Sequence, residues 1–134
     1  MFSKKSVDKK TVKIVQESFK KAAPVFDLVI TMLHEDLLKL KPSLKDVFPV
    51  DEQGIQEQKS QLKELLTSAV YSLGDLKKIA PSLSIDYLKD ANDHDLFGQA
   101  FISAFSKGVR RDFTEEVEEA WIKAYSAISA TMQG

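Results

Sequence analysis

The sequence predicts an all-α protein of six or seven helices, and three observations lead to this prediction. Apolar residues recur at helical spacing along most of the chain, whereas the alternating pattern typical of β-strands is absent. Only five glycines and four prolines interrupt 134 residues, and the prolines stand where helices are expected to join. Hydrophobic residues make up 43% and charged residues 29%, as in ordinary folded proteins. We therefore expect residues 1–134 to form a single domain with a core of its own.

Prolines mark the joints between the first elements. We expect the first helix to begin near Ser6, a plausible cap. Pro24 suits the first turn of a second helix. Pro42 starts a short helical turn that ends at Phe48. The apolar face of the second helix consists of Val25, Phe26, Val29, Ile30, Leu33 and Leu37.

The middle of the chain carries one long predicted helix and one irregular segment. Residues 50–54 are polar and indicate a loop. A helix is predicted from about Ile55 to Leu73, with Gly74 as its stop signal. From Leu76 to Asn92 the periodicity weakens, and Pro81 favours short, irregular helices there.

Two strong helices are predicted at the C-terminal end. One begins at about Asp93, and the corner after it runs from Lys107 to Phe113. Thr114 is the predicted cap of the last helix. The buried face of that helix is expected to comprise Val117, Ala120, Trp121, Ala124, Tyr125, Ile128 and Met132.

Composition limits the partners and the compartment. A formal net charge of −1 gives no field that would attract nucleic acid or an anionic membrane. The absence of cysteine removes disulfides and thiolate metal sites, and it excludes a thioether-linked chromophore. The lysines near the N-terminus precede no apolar run, and no apolar stretch approaches the roughly 18 residues of a membrane span. We expect a cytoplasmic protein.

Two stretches resemble the bacterial globins and flavohaemoglobins. The segment from Leu33 to Phe48, LHEDLLKLKPSLKDVF, resembles a hydrophobic stretch that is followed in this family by Pro-Glu-Leu and a phenylalanine. The segment from Phe113 to Tyr125, FTEEVEEAWIKAY, is similar to the last helix of the family, which carries an Ala-Trp-x-x-x-Tyr pattern. The resemblance covers nearly the whole chain except residues 76–92. It implies a globin-like fold, and fold alone does not establish function.

The resemblance also implies one wall of a ligand pocket. Phe48 falls on the phenylalanine that stacks against haem in this family, and Gln58 falls on the distal position that faces bound gas. Leu62, one helical turn later, falls on the apolar gate beside it. His34 falls where these globins often carry a distal tyrosine.

The opposite, proximal wall departs from the family pattern. The histidine that binds iron in the family falls at or near Asp90, and about half a dozen residues are missing before the next helix. His34 and His94 are the two histidines of the chain. His94 lies close to where flavohaemoglobins carry a proximal-side tyrosine, and its setting is more typical of a surface or capping residue. We include His94, Phe97 and Phe101 in the candidate pocket, although such a phenylalanine stripe is also ordinary core.

Three functions remain open at this point. Enzyme motifs are absent, so a non-enzymatic protein is expected. The favoured hypothesis is non-covalent binding of a linear tetrapyrrole (bilin), or of another apolar and acidic ligand, because the iron-holding wall is reduced. Phycobiliproteins share the globin fold, and a group of globins is associated with bilin biosynthesis. The alternatives are a haem globin for oxygen or nitric oxide, with His94 or His34 on iron, and a haem-free sensor or interaction module that could form a homodimer.

Overall fold

Five α-helices and four 3₁₀ segments make up the part of the chain that the computed structural model describes, residues 7–134. The α-helices are α1 (Lys9–Ala22), α2 (Phe26–Leu40), α3 (Glu52–Tyr71), α4 (Ala91–Val109) and α5 (Glu115–Gln133). The 3₁₀ segments are Ala23–Val25, Pro42–Asp46, Leu73–Ser82 and Arg110–Asp112. The all-α prediction is confirmed. The expected count of six or seven helices is wrong, because the shorter predicted helices are 3₁₀ segments.

The proline-marked joints lie where the sequence predicts them. Pro24 occupies the 3₁₀ turn between α1 and α2, and Pro42 begins the 3₁₀ segment after α2. Proline is tolerated at such starts because the first N–H groups of a helix have no partner within it. The predicted cap Ser6 lies outside the described residues. α1 begins after Asp8, whose carboxylate accepts a hydrogen bond of 2.6 Å from the Thr11 hydroxyl.

α3 begins three residues earlier than predicted. Asp51 caps the helix, and its carboxylate accepts a hydrogen bond of 3.2 Å from the backbone N–H of Gly54. The predicted loop over residues 50–54 is therefore mostly the first turn of α3. Gly74 is not the stop signal, since α3 ends at Tyr71 and Gly74 lies within the next 3₁₀ segment.

α4 extends further than predicted, and a glycine in its last turn lies close to α2. Gly108 belongs to the helix, and a Cβ atom at this position would lie 2.6 Å from Cγ2 of Val29. The corner begins only at Arg110, which has a φ angle of 52°. Thr114 caps α5 as predicted, with its hydroxyl accepting a hydrogen bond of 3.2 Å from the N–H of Val117.

The core forms where α2 packs on α4 and α1 packs on α5. Trp121 of α5 is 1% exposed, and its indole Nε1 donates a hydrogen bond of 3.1 Å to Oγ of Ser18 on α1. The aromatic residues packed around this indole are Phe19, Phe101 and Phe105. Within residues 7–134, no helix is both long enough and apolar enough to cross a lipid bilayer.

Candidate ligand-binding site

A cleft of about 650 Å³ lies between three parts of the chain. Its walls are the residues around the 3₁₀ segment Pro42–Asp46, the N-terminal half of α3, and the non-helical stretch 84–89. Its apolar lining comprises Leu44, Val47, Pro49, Leu62, Leu65, Ile85 and Tyr87. Its polar lining includes Lys41, Glu57, Gln58, Gln61, Asp86 and Lys89. The volume falls in the range of about 300–1,000 Å³ that small-molecule sites occupy.

The charges along the cleft balance. Lys41 and Lys89 supply two cations, and Glu57 and Asp86 supply two anions. Such a lining can pair with separate acidic and hydrogen-bond-donating groups on one ligand. It gives the cleft no strong field of either sign.

A buried carboxylate ties two of the walls together. Asp93 is 2% exposed and accepts hydrogen bonds from the Lys41 ammonium and, at 2.7 Å, from the backbone N–H of Lys89. The hydrogen bond from Lys41 holds the pKa of the Asp93 carboxyl below its ordinary value. The non-helical stretch therefore ends at a fixed position beside Lys41.

An aromatic cluster stands directly behind the cleft. The Tyr87 ring, which lines the cleft, lies 4.9 Å from the Phe48 ring and 5.9 Å from the His34 imidazole, centroid to centroid. Nε2 of His34 and the Tyr87 hydroxyl are hydrogen-bonded at 3.0 Å. Burial lowers the pKa of His34 to about 4, so this imidazole is neutral at physiological pH. Burial likewise raises the pKa of the Tyr87 hydroxyl, which keeps its proton.

Phe97 and Phe101, both predicted pocket residues on α4, are both buried but have different aromatic neighbours. The Phe97 ring is 6.5 Å from the Tyr87 ring and stacks on Tyr125 at 6.0 Å. Phe97 therefore borders the aromatic cluster behind the cleft. Phe101 instead packs against Trp121 at 5.2 Å.

His94 lies in the first turn of α4, next to the helix cap, but it is buried, so the expectation of a surface residue is wrong. It is 6% exposed, and its Nδ1 atom is buried without a hydrogen-bond partner. Its backbone carbonyl accepts a hydrogen bond of 2.7 Å from the Tyr125 hydroxyl. Burial lowers the pKa of the imidazole, although the nearby carboxylates of Asp90, Asp93 and Asp95 oppose this shift. The expectation failed because Tyr125, 31 residues away, covers this turn of α4.

The predicted pocket residues thus fall into groups. Gln58 and Leu62 line the cleft itself. His34 and Phe48 do not line the cleft, but their rings contact Tyr87, which does. Phe97 also neighbours the Tyr87 ring, but it does not itself line the cleft. His94 and Phe101 do not line the cleft either.

Asp90, the position aligned with the missing iron ligand, has a structural partner. Its carboxylate caps α4 by accepting a hydrogen bond of 2.9 Å from the backbone N–H of Asp93. A helix cap of this kind satisfies one of the unpaired N–H groups of the first turn. The start of α4 is therefore explained without a ligand on Asp90.

Tyr87 is the site residue that the sequence reasoning missed. It stands in the one region outside the family resemblance, where only irregular helices were expected. A signal was present, since Ile85, Tyr87 and Leu88 place three large apolar side chains in an otherwise polar segment. In the structure all three are at least half-buried.

Residues 7–134 contain no group of three or more histidine, cysteine, aspartate or glutamate side chains arranged to hold a metal ion. No protein-family model matches the chain, and no curated protein matches it significantly. The function is therefore inferred from the cleft and its chemistry.

Proposed function

We propose that this chain is a non-enzymatic, globin-like protein that binds a linear tetrapyrrole non-covalently in the cleft between α3 and residues 84–89. The observation that carries the proposal is the position of the cleft. It opens on the wall where the family resemblance puts ligand-facing residues, and Gln58 and Leu62 both line it.

The lining matches the chemistry of a flat, acidic and metal-free ligand. The apolar residues of the two walls can cover a conjugated ring system, while the Lys89 ammonium, unlike that of Lys41, which is bonded to Asp93, can pair with a ligand carboxylate. The carboxylates of Glu57 and Asp86 offer acceptors for pyrrole N–H groups. The chain contains no cysteine, so attachment would be non-covalent.

The order of the helices supports a globin-like arrangement. A proline-initiated 3₁₀ turn links α2 to α3, and a short irregular stretch replaces a regular helix before α4. α2 packs most extensively on α4, and Trp121 of the last helix lies at the centre of the core. These features agree with the resemblance that the sequence carries at both ends of the chain.

Biliverdin, added to the purified protein, is expected to co-elute on gel filtration with a structured absorption band, and haemin is expected not to. The matched test of location uses one substitution at two places on α3. Gln58→Trp places an indole in the cleft and should weaken biliverdin binding about tenfold, equivalent to about 1.4 kcal/mol. Gln56→Trp lies on an exposed position on another face of α3 that does not line the cleft, and it should leave binding unchanged.

A stoichiometric haemin complex without biliverdin binding would contradict the proposal. Retention of neither ligand would contradict it as well, and would favour the interaction-module hypothesis. Equal weakening by both tryptophan substitutions would show that the cleft is not the binding site.

Haem binding is the second candidate, and one observation favours it. Among residues 7–134, Nδ1 of His94 is the one buried side-chain nitrogen or oxygen without a partner, and a neutral imidazole is the form that binds iron. No imidazole lines the cleft, however, and His34 already bonds Tyr87. A Soret band that shifts with carbon monoxide and disappears in His94→Ala would establish this candidate.

A further inference from the structure

The Tyr87 side chain lines the cleft and packs against three other ring side chains, those of His34, Phe48 and Phe97. The centroid of the Tyr87 ring lies 4.9 Å from that of Phe48, 5.9 Å from that of His34 and 6.5 Å from that of Phe97. Its hydroxyl is the hydrogen-bond partner of the buried His34 Nε2 atom. A single side chain thus fills a flat space that has one polar atom at its edge.

The backbone that carries Tyr87 is fixed, although it is not helical. The residues on either side of the turn are anchored: Leu83 is 3% exposed, Leu88 is 8% exposed, and the N–H of Lys89 bonds the buried Asp93. The turn itself is closed by a hydrogen bond of 3.0 Å from the N–H of Leu88 to the carbonyl of Ile85. A change in the position of the ring would therefore have to come from rotation about its own side-chain bonds.

We propose that Tyr87 determines the specificity of the cleft by occupying an inner subsite between Phe48 and Phe97, and that a planar ring of the ligand takes this place when Tyr87 turns outward. This inference rests on the proposed function and deepens it. The ligand that fits is a conjugated ring bearing a polar atom, such as a lactam carbonyl or a pyrrole N–H, that can replace the Tyr87 hydroxyl on His34.

Replacing the Tyr87 ring with a planar ring of the ligand keeps the interactions inside the subsite. A flat ring replaces a flat ring, so the edge and tilted contacts with Phe48 and Phe97 are made again. A polar atom on the incoming ring keeps His34 Nε2 paired. An apolar ring would leave that buried nitrogen without a partner, and the subsite therefore discriminates against it.

The test compares biliverdin affinity among four proteins. Tyr87→Ala empties the subsite, and it should tighten binding about tenfold because the closed conformation no longer competes with the ligand. Tyr87→Phe keeps the ring and loses only the bond to His34, so it should tighten binding about fivefold. Ile85→Ala removes a neighbouring cleft residue on the same turn and is expected not to tighten binding.

A second readout follows His34 directly. In ¹⁵N-labelled wild-type protein, the Nε2 resonance of His34 should shift when biliverdin binds, because its partner changes. If wild type binds biliverdin but Tyr87→Ala and Tyr87→Phe bind no more tightly, or the His34 resonance does not move, the inference is wrong while the proposed function stands. Binding by Tyr87→Ala but not by wild type would also contradict the inference, because the Tyr87 ring would then block the subsite and not turn outward when the ligand binds. If neither wild type nor Tyr87→Ala binds biliverdin, the proposed function fails together with the inference.

Discussion

Replacing Trp121 with alanine is expected to lower the free energy of unfolding by about 4 kcal/mol, within the range found for buried large aromatic residues. The indole is 1% exposed and packs against Phe101 at 5.2 Å and Phe105 at 4.7 Å. Truncation leaves a cavity between α1, α4 and α5 that these rings cannot close. The substitution also leaves the Ser18 hydroxyl without its donor. Urea denaturation followed by circular dichroism measures the change.

Ser18→Ala is the matched control for the Trp121 substitution. It keeps the packing but leaves the buried indole N–H without an acceptor, so it should cost about 1–2 kcal/mol. Comparable losses for the two variants would mean that the hydrogen bond, not the packing, dominates. A loss below about 2 kcal/mol for Trp121→Ala would contradict the core described above.

The stability of the protein is expected to fall by about 3 kcal/mol as pH falls from about 6.5 to about 4, owing to His34 alone. Burial, with a smaller contribution from Lys59, lowers the pKa of His34 to about 4 in the folded state. In this interval the unfolded chain binds the proton and the folded chain does not, so acid favours unfolding. The stability is fully present above the unfolded pKa and is lost as pH falls toward the folded one. His94, whose pKa is also lowered, changes stability in the same direction.

Urea unfolding at a series of pH values, with His34→Gln as the comparison, tests this prediction. Glutamine retains a polar end toward Tyr87 and cannot take up the proton in this range. The variant should lose about 3 kcal/mol less than wild type between pH 6.5 and 4, because both share the carboxylates that titrate at lower pH. Parallel pH profiles for the two proteins would mean that His34 is accessible to water and protons.

Helical periodicity and capping residues predict most of this fold. The buried faces of α2 and α5 contain most of the residues that their spacing indicates, and Thr114 caps α5 as expected. Predictions that depended on glycine as a breaker failed. Gly74 and Gly108 do not end helices, because the first lies within a 3₁₀ segment and the second permits a close contact with Val29. That contact joins residues 79 positions apart, and no local pattern contains it.

The candidate site is predictable only where it lies on a regular helix. Gln58 and Leu62 share one face of α3, and both line the cleft. Tyr87 lies in a stretch whose conformation depends on two hydrogen bonds that Asp93 accepts, one from the Lys41 ammonium and one from the backbone N–H of Lys89. Such a tertiary arrangement leaves no periodic pattern in the sequence. The burial of His94 likewise depends on a distant element, since Tyr125 of α5 covers its turn.

The central claim is that a tetrapyrrole binds in the cleft between α3 and residues 84–89. The most direct measurement is a titration of ¹⁵N-labelled protein with biliverdin, monitored by backbone amide chemical shifts. We expect the largest shifts at residues 41–65 and 84–89, with Gln58, Leu62 and Tyr87 among them. Shifts confined to the exposed face of α5 around Ile122, or no shifts at saturating ligand, would contradict the account.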